Sequence, residues 1–374
     1  MPELQERAVA RVSEPGAVPR APREAEMPAL RDWLDAGLRD GVAGSLVAEY
    51  PISMRAGPGR HRVVFAGDAP AAHAMWHVVH VAARGCTLPV ALIGNVYTDP
   101  AHRRRGLASV CVEACVAEVR QRGVPLALLW SGEHDFYARL GFHPVGRETY
   151  TSFDAPLLER VASARGVGME VGPASRADWV FLEAMYAEKP QHVVREAGAL
   201  AELAAAPRCR LVVARSAGRP VAYAAAGRGR DMAGCVHEWA GDPDGVVACL
   251  DRLHRDVGAA MMLSGPTCET VVSRLHEAGA EVQRGCFALG RILDAVALWS
   301  AIAPGEGRIA LRDRGGRPTL CTKDTSRALN DRQALELLFG EGALAISADA
   351  GAPDTDFLAQ QLPWPLYLWG FDSI

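Results

Sequence analysis

Short apolar segments alternate with turn-forming residues in the first third of the chain, and β-branched residues are frequent in them. The three clearest segments are 61–67, 74–83 and 88–98. This alternation is typical of an antiparallel meander. A helix pattern follows, because Asp99 and Pro100 interrupt the last strand and Gly123 supplies a left-handed stop. Polar positions form only a narrow stripe along it, which predicts a mostly buried helix.

Two more segments complete this first unit. Residues 125–131 predict a buried strand, and residues 134–142 predict a short helix that leads into a last strand. Strands and helices therefore alternate within the length of one domain. This order predicts an α+β fold.

The same order of elements recurs in the middle of the chain. A hairpin over 210–227 precedes a strand, a break at Asp242 and a helix, as Asp99 precedes the first helix. The segments 260–266 and 272–285 then parallel the strand and the short helix of the first unit. We therefore predict an internal duplication.

The two ends of the chain differ from these units. The start is rich in proline and charge and lacks the apolar core of a secretory signal, which predicts a flexible tail. The end combines a helical pattern over 328–342 with an aromatic segment over 362–374, which indicates a third domain. The predicted boundaries are 1–27 for the tail, 28–152 and 153–290 for the two units, and 291–374 for the third domain.

The composition excludes several classes of protein. The 374 residues are 49% hydrophobic and 22% charged, as in ordinary globular proteins. No apolar run approaches the roughly 20 residues that cross a bilayer. A formal net charge of -4 gives no overall attraction to nucleic acid or to an anionic membrane. The nine cysteines are scattered without metal-ligand spacing, which favours free thiols and a cytoplasmic location.

A local cluster of positive charge stands at the start of the first long helix. Arg103, Arg104 and Arg105 precede Gly106 there. Glycine lets the backbone approach a ligand closely, and the first N–H groups of a helix have no partner within it. The helix dipole and the guanidinium groups both favour an anion such as phosphate. The spacing from Arg103 through Gly106 to Ala108 matches neither a P-loop nor a GxGxxG turn.

That spacing, R-x-x-G-x-A, resembles the pyrophosphate-binding motif of the GCN5-related N-acetyltransferases (GNAT). A strand precedes it and a long helix follows it, as in that family, and "FYARLGF" over 136–142 is similar to the family's tyrosine-bearing segment. The resemblance covers residues 28–150 and implies acetyl-CoA as the co-substrate. The cofactor-binding residues that it implies are Val96, Tyr97, Thr98, Arg103, Arg104, Arg105, Gly106, Leu107 and Ala108.

The three-part organisation resembles the enhanced-intracellular-survival (Eis) group of this superfamily. In that group a catalytic GNAT domain is followed by a degenerate copy and by a small domain similar to sterol carrier proteins. The resemblance implies a GNAT fold for both units of this chain and a small C-terminal α+β sterol-carrier-like domain. The central copy lacks R-x-x-G-x-A after Asp242. We therefore expect only the first unit to bind coenzyme A.

Acetyl transfer to an amine needs one group that takes a proton from nitrogen and one that gives a proton to sulfur. Tyr137 is the candidate acid, since a tyrosine with a reference pKa of about 10 stays protonated at neutral pH. The alternative is a tyrosine on the helix face that packs in the core. The resemblance implies that the C-terminal carboxylate of Ile374 is the base, and the equal alternative is that this end is a last strand completing the small domain. A backbone N–H between Val96 and Thr98 would hold the thioester oxygen. The alternative bases are Glu133, Asp135, Glu238 or a water relay, although each carboxylate also suits a surface charge or a helix cap.

Two groups of cysteine and histidine residues, which are residue types that bind metals, have explanations simpler than a metal site. Cys111 and Cys115 lie one helical turn apart among apolar residues, which favours packing in the core. His73, His77 and His80 lie in a predicted strand without an acidic residue to complete a site. We predict no metal. We also predict no nucleic-acid partner, because the arginine cluster is brief and lacks interleaved aromatic residues.

Two functions of different class follow from these observations. The first is an acetyl-CoA-dependent N-acetyltransferase, in which a small-molecule amine, a polyamine or a lysine side chain attacks acetyl-CoA in a ternary complex. The second is a non-catalytic acyl-CoA-binding sensor or scaffold. Tyr137 and the carboxyl end favour catalysis. No membrane partner is expected. The resembling group forms rings or pairs, so a homo-oligomer is one alternative for this chain. The sequence identifies no interface for it.

Overall fold

The computed structural model describes residues 18–41, 45–163, 169–303, 309–322, 326–340 and 362–374. The first unit has the predicted order of a meander, a long helix, a strand, a short helix and a last strand. Its elements are α1 Met27–Leu38, α2 Ser45–Glu49, α3 Pro51–Met54, β1 His61–Ala66, β2 Ala69–Ala83, β3 Cys86–Thr98, α4 Leu107–Gln121, β4 Leu126–Leu129, α5 His134–Ala138 and β5 His143–Ser152.

The long helix α4 packs on the meander, as its narrow polar stripe predicts. Its buried side chains are Leu107, Cys111, Val112, Cys115, Val116 and Val119. Cys111 and Cys115 are fully buried in one apolar cluster, which confirms the core-packing interpretation. Burial raises the pKa of the Cys111 thiol to about 12, so this side chain is a neutral thiol at physiological pH.

The second unit repeats this order of elements. Its members are α6 Ala155–Ser163, β6 Glu170–Pro173, α7 Trp179–Ala187, β7 Gln191–Val193, α8 Ala199–Ala204, β8 Arg210–Ser216, β9 Arg219–Ala226, β10 Cys235–Gly241, α9 Pro243–Val257, β11 Met261–Ser264, α10 Glu269–Glu277 and β12 Val282–Ile292. The run β10, α9, β11, α10, β12 corresponds to β3, α4, β4, α5, β5, as an internal duplication predicts. Among the helices of the described stretches, none has both the length and the apolar character needed to cross a membrane.

The two units share one sheet because each gives its last strand to the other. β12 of the second unit pairs with β4 of the first, with Leu289 opposite Leu129. β5 of the first unit pairs with β11 of the second, with Ser152 opposite Met261. β5 and β12 also pair with each other. Within the described residues the strand order is β1-β2-β3-β4-β12-β5-β11-β10-β9-β8-β6, and β7 pairs with β2. We refer to this arrangement as the strand exchange.

A smaller α+β unit follows. Its elements are α11 Ala295–Ile302, β13 Ile309–Asp313, β14 Pro318–Thr322, β15 Ser326–Ala328 and α12 Asp331–Phe339. The three strands form a separate antiparallel sheet, and α12 packs against β5 and β12 at the centre of the shared sheet. The sterol-carrier-like domain stays a prediction, because residues 341–361 within it lie outside the described residues.

The C-terminal segment, residues 362–374, is enclosed by the rest of the protein. Its large side chains are almost fully buried, and they are Trp364, Tyr367, Trp369 and Phe371. The ring of Trp369 packs edge-on against Trp239 of β10, with the centroids 5.4 Å apart. Burying one such side chain contributes roughly 1.5–3 kcal/mol. The segment is therefore held firmly, unlike a frayed terminus.

Part of the predicted flexible tail is ordered, which corrects the boundary at residue 27. The backbone of Arg20 pairs with Val63 of β1 through hydrogen bonds of 3.0 and 2.9 Å. The carboxylate of Glu26 accepts hydrogen bonds from Arg20 and Arg23. These contacts attach residues 18–26 to the edge of the sheet before α1 begins. Residues 1–17 lie outside the described residues.

Candidate active site

The strands β3 and β4 diverge at the centre of the first unit. They run parallel and pair only between Val90 and Leu92 of β3. Beyond this point β3 contains a bulge, because its register with β2 shifts between His73 and Met75. Asn95 has a left-handed φ of 49° at the bulge. A bulge bends its strand, so β3 and β4 open into a cleft.

Two buried histidines hold the bulge in place. The Nδ1 of His73 lies 2.7 Å from the carbonyl oxygen of Asn95, and its Nε2 lies 2.9 Å from the Nδ1 of His61. Neither histidine is exposed to solvent. Because a carbonyl only accepts, His73 donates through Nδ1. Across the described stretches, no group of three or more histidine, cysteine or acidic side chains is arranged to hold a metal ion.

Acid is expected to destabilise the protein through these two histidines. Burial lowers the pKa of His73 to about 3 and the pKa of His61 to about 4, whereas an unfolded histidine titrates near 6.5. Their contribution to stability is therefore complete above about pH 6.5 and is lost as the pH falls toward the folded-state values. We expect the free energy of unfolding to fall by up to about 1.4 kcal/mol per pH unit for each histidine below about pH 6, measured by urea denaturation.

The variant His73→Leu tests this assignment through the pH dependence of stability. It loses the bond to Asn95 and should be less stable than wild type at every pH, but its stability should fall less steeply with acid. His80→Leu changes an exposed histidine on the same strand and should keep the wild-type slope. Equal slopes for wild type and His73→Leu would rule out the buried pair as the acid-sensitive group.

The strand end beyond the bulge directs backbone groups into the cleft. The N–H of Asp99 donates to Ala71 of β2, and backbone groups alternate in direction along a strand. Val96 and Thr98 therefore direct their N–H groups away from β2 and toward the cleft. The buried hydroxyl of Thr98 also has no hydrogen-bond partner in the part of the chain that the structure describes. A ligand with amide groups fits this strand end.

Tyr97 contributes to this strand end only through its backbone. Its ring packs edge-on against Trp33 at a centroid distance of 4.8 Å. It also fills the space that a side chain on Gly37 of α1 would need. The side chain thus belongs to the apolar cluster around α1 rather than to the cleft.

The start of α4 is open to an anion. Gly106 caps the helix in a left-handed conformation with a φ of 75°, and it offers no side chain to the first amides. No acidic residue lies in the first turn. Arg103, Arg104 and Arg105 are exposed before it, and Arg103 donates to the carbonyl oxygen of Thr98 at 3.3 Å. The first amides of α4 and the guanidinium groups of the three arginines that precede it are therefore close together in the chain, an arrangement that suits an anion.

Leu107 and Ala108 serve this helix start differently. Leu107 is almost fully buried in the apolar cluster beneath α4, so its side chain anchors the helix and only its amide faces a ligand. Ala108 is half-buried at the next position, where its small side chain leaves the first turn accessible.

The start of α9, which is the counterpart of α4 in the second unit, is closed to an anion. The side chain of Asp242 accepts hydrogen bonds from the amides of Asp244 and Gly245, at 2.9 and 3.1 Å. Pro243 has no amide to offer. The indole of Trp239 spans the gap between β10 and β11 and donates to a carbonyl of β11 at 3.1 Å. An anion at α9 would therefore meet a carboxylate where α4 presents arginines.

Tyr137 of α5 lies at the cleft of the first unit. Its ring packs edge-on against Phe136 and Phe142, and its carbonyl oxygen accepts the N–H of Phe142 at 3.0 Å. Burial, together with the nearby charge of Glu133, raises the pKa of the Tyr137 hydroxyl to about 12. The hydroxyl is therefore protonated at neutral pH, as a general acid must be.

A cavity of about 220 Å³ brings this tyrosine together with the C-terminal residue. Its walls include Val96, Tyr137 and Ile374. Gly94 of β3 makes room for the chain end, since a methyl group on Gly94 would lie 2.6 Å from the side chain of Ile374. Two candidate residues from separate parts of the sequence thus line one cavity where β3 and β4 open.

Arg228 fixes the residues that precede Ile374. It is 2% exposed and donates to the carbonyl oxygen and the hydroxyl of Ser373, each at 3.1 Å, and to the carbonyl of Gly370. Its Nε donates to the last carbonyl of α2 at 2.9 Å. Its guanidinium also lies 4.0 Å from the ring centroid of Tyr50. One arginine of the second unit therefore ties the chain end to the first unit.

The other candidate bases lie elsewhere. Glu133 and Asp135 are exposed, and neither is among the residues that line this cavity. The expectation that Glu238 is a surface charge is wrong, because β10 lies between β9 and β11 inside the shared sheet. Glu238 is fully buried, and both Arg195 and Tyr223 donate to it, at 3.0 and 2.8 Å.

Two groups near the chain end were not predicted from the sequence. Asp372 is buried and accepts hydrogen bonds from Arg195 and Tyr186, at 2.8 and 2.6 Å. Arg228 binds the same segment from the second unit. Because buried charges need partners, the acidic side chain of Asp372 within the aromatic segment 362–374 could have indicated a buried partner for it.

Comparison with known proteins agrees with this geometry. Residues 20–145 match the family model described as "Acetyltransferase (GNAT) domain". An "uncharacterized N-acetyltransferase" of Streptomyces griseus is 40% identical over 60 residues, which is 16% of this chain and 14% of that protein. The chain therefore aligns with only a small part, 14%, of the length of that curated relative.

Solved structures are similar over almost the whole chain. A GCN5-related N-acetyltransferase from Kribbella flavida is 19% identical with a TM-score of 0.63, and the match covers 95% of this chain and 99% of the other. Eis1 from Mycobacterium abscessus is 16% identical with a TM-score of 0.61, covering 94% of this chain and 98% of the other. At these identities the similarity establishes the fold. Residues 20–145 thus match the GNAT acetyltransferase domain model, and nearly the whole chain shares the fold of these GNAT and Eis structures.

Proposed function

We propose that this protein is an acetyl-CoA-dependent N-acetyltransferase that acetylates a primary amine by direct attack in a ternary complex. The GNAT domain supports acyl transfer as the general class of reaction. The observation that carries the proposal is that Tyr137 and Ile374 line one cavity at the opening of β3 and β4. A protonated hydroxyl and a carboxylate are the acid and the base that the reaction needs.

The residues around α4 fit the two polar parts of acetyl-CoA. Arg103, Arg104, Arg105 and the uncapped amides of α4 would hold the pyrophosphate. The N–H groups of Val96 and Thr98 would pair with the amide groups of the pantetheine arm and hold the thioester oxygen. When bound, acetyl-CoA supplies the acetyl group as an activated thioester.

The proton transfers are assigned to the two residues at the cavity. Ile374 accepts a proton from the amine through its carboxylate, and Tyr137 donates a proton to the departing sulfur. Arg228 is a positioning residue, because it binds the peptide that precedes Ile374 without facing the reacting atoms.

The acceptor amine would reach Ile374 through a second cavity of about 470 Å³. Tyr50 and Ile374 line both cavities. Small-molecule amines, polyamines and lysine side chains are the acceptor classes of this proposal. We place the reaction in the cytoplasm, because all nine cysteines are unpaired thiols, as in a reducing compartment.

Calorimetric titration with acetyl-CoA tests the cofactor site through Gly106→Asp. The substitution puts a carboxylate where the pyrophosphate would lie and a side chain at a φ of 75°. We expect wild type to bind acetyl-CoA and the variant to bind at least about 100-fold more weakly, since several charge-assisted hydrogen bonds are lost.

Gly123→Asp is the matched control. Gly123 follows the other end of α4 with a φ of 74° and open space around it, so the backbone strain and the added charge are similar. This variant should bind acetyl-CoA as wild type does. A wild-type protein that does not bind acetyl-CoA would refute the proposal. Binding without turnover of any amine would favour the non-catalytic acyl-CoA sensor or scaffold instead.

A further inference from the structure

The second cavity lies between the two units and carries a mixed set of charges. Its walls come from α3 and β2 of the first unit, from residues 193–199 of the second, and from the end of the C-terminal segment. If the proposed function holds, this cavity receives the acceptor amine. Its charges then select the acceptor.

Most charges on these walls are already neutralised within the protein. Arg195 is held by Asp372, and Arg228 is engaged by backbone carbonyls. Glu202 pairs with Arg55. These groups have their partners before any ligand arrives, so they do not determine the charge of the acceptor.

Arg60 differs from them. Its guanidinium lies 5.4 Å from the ring centroid of Trp76 and contacts the Nδ1 of His77. Within the described residues it pairs with no carboxylate. Partial burial and the positive charge of Arg122 lower the pKa of Arg60, and no acidic group among the described residues offsets these effects. The wall of the cavity therefore holds a guanidinium that has no carboxylate partner among the described residues.

His77 adds a second donor beside it. A guanidinium only donates, so the contact with Arg60 makes Nδ1 of His77 an acceptor and places the ring hydrogen on Nε2. Burial lowers the pKa of His77 to about 4, and the ring is neutral at pH 7. Arg60 and His77 together offer donors to this cavity. Glu196, which also lines it, is exposed at the rim.

We propose that the acceptor is an amine that also carries an anionic group, a carboxylate or a phosphate, which Arg60 and His77 bind. The amine end of this acceptor faces the carboxylate of Ile374 in the same cavity. A guanidinium recognises both anions through paired hydrogen bonds. This inference rests on the proposed function and narrows its acceptor to zwitterionic amines, in place of simple amines and polyamines.

Matched pairs of amines test the inference. The carboxylate pair is 4-aminobutyrate and propylamine, and the phosphate pair is O-phosphoethanolamine and ethanolamine. Thiol release from acetyl-CoA gives kcat/KM for each. We expect wild type to prefer at least one anionic member by about tenfold or more, the effect of one charge-assisted interaction. Arg60→Gln should reduce this preference to near unity and leave kcat/KM for the partner that lacks the anion within about twofold.

Arg219→Gln is the control, because it removes the same charge from an exposed position that lines neither cavity. It should retain the wild-type preference. Equal or better use by wild type of the amines that lack an anion, or a preference that persists in Arg60→Gln, would overturn the inference. The carboxylate and phosphate pairs show which anion the site takes.

A calorimetric titration separates this inference from the proposed function. Protein saturated with coenzyme A is titrated with 4-aminobutyrate and with O-phosphoethanolamine. Binding by wild type and its loss in Arg60→Gln would support the anion site even if no amine is acetylated. If neither compound binds to wild type, the inference fails, whatever the outcome of the acetyl-CoA titration.

Discussion

Conversion of the Ile374 carboxylate to a carboxamide is expected to lower kcat by about 100- to 1000-fold, the usual contribution of a general base. The carboxamide keeps the shape of the chain end and its fit against Gly94, but it does not accept a proton. Semisynthesis by ligation of a C-terminal peptide gives both forms of the protein. Steady-state thiol release measures kcat, and calorimetry measures acetyl-CoA affinity, which should change by less than about threefold.

Two variants separate the charge of the chain end from its position. Ile374→Val keeps the carboxylate in place and should retain most of kcat. Arg228→Met keeps the carboxylate but removes the hydrogen bonds to Ser373 and Gly370, so kcat should fall while acetyl-CoA affinity is preserved. Turnover by the carboxamide at the wild-type rate would show that Ile374 is not the base.

Tyr137→Phe is expected to lower kcat by about 100-fold or more, because the departing thiolate then leaves without a proton donor. The ring contacts with Phe136 and Phe142 remain, so folding and acetyl-CoA affinity should be preserved. Because burial raises the pKa of the hydroxyl to about 12, wild-type activity should not decline through this group up to about pH 10. Rates measured from pH 6 to 10 check both statements.

Tyr150→Phe is the control for this change. Tyr150 lies on β5 and lines neither of the two cavities, so loss of its hydroxyl should leave kcat unchanged. If Tyr137→Phe weakens acetyl-CoA binding as much as it slows turnover, Tyr137 is a packing residue and not the acid.

Local sequence patterns predict much of the first unit. The β-branched segments give the meander, the Asp99 break and Gly123 bound α4, and R-x-x-G-x-A marks an open helix start. Each of these depends on residues that are close in sequence, such as a left-handed glycine or a missing cap. Asp242 could be recognised as the counterpart of Asp99 from its own local pattern. That its side chain caps α9 is visible only in the structure.

Contacts between distant segments could not be predicted in this way. Arg228 binds Ser373 and Gly370, although nothing near it in sequence indicates such partners. Glu238 was expected to be a surface charge or a helix cap, with an active-site base as the alternative. The charge is buried only because Arg195 comes to it from another segment. Pairing of charges between distant segments leaves no periodic pattern in the sequence, so it could not be predicted.

The strand exchange also constrains how the protein is made. On the ribosome β4 emerges long before β12, the strand that must lie beside it. Until the second unit has been translated, the nascent first unit presents the unpaired edge of β4, which is a template for aggregation. We therefore expect the two units expressed together as one chain to stay soluble, and the first unit expressed alone to aggregate.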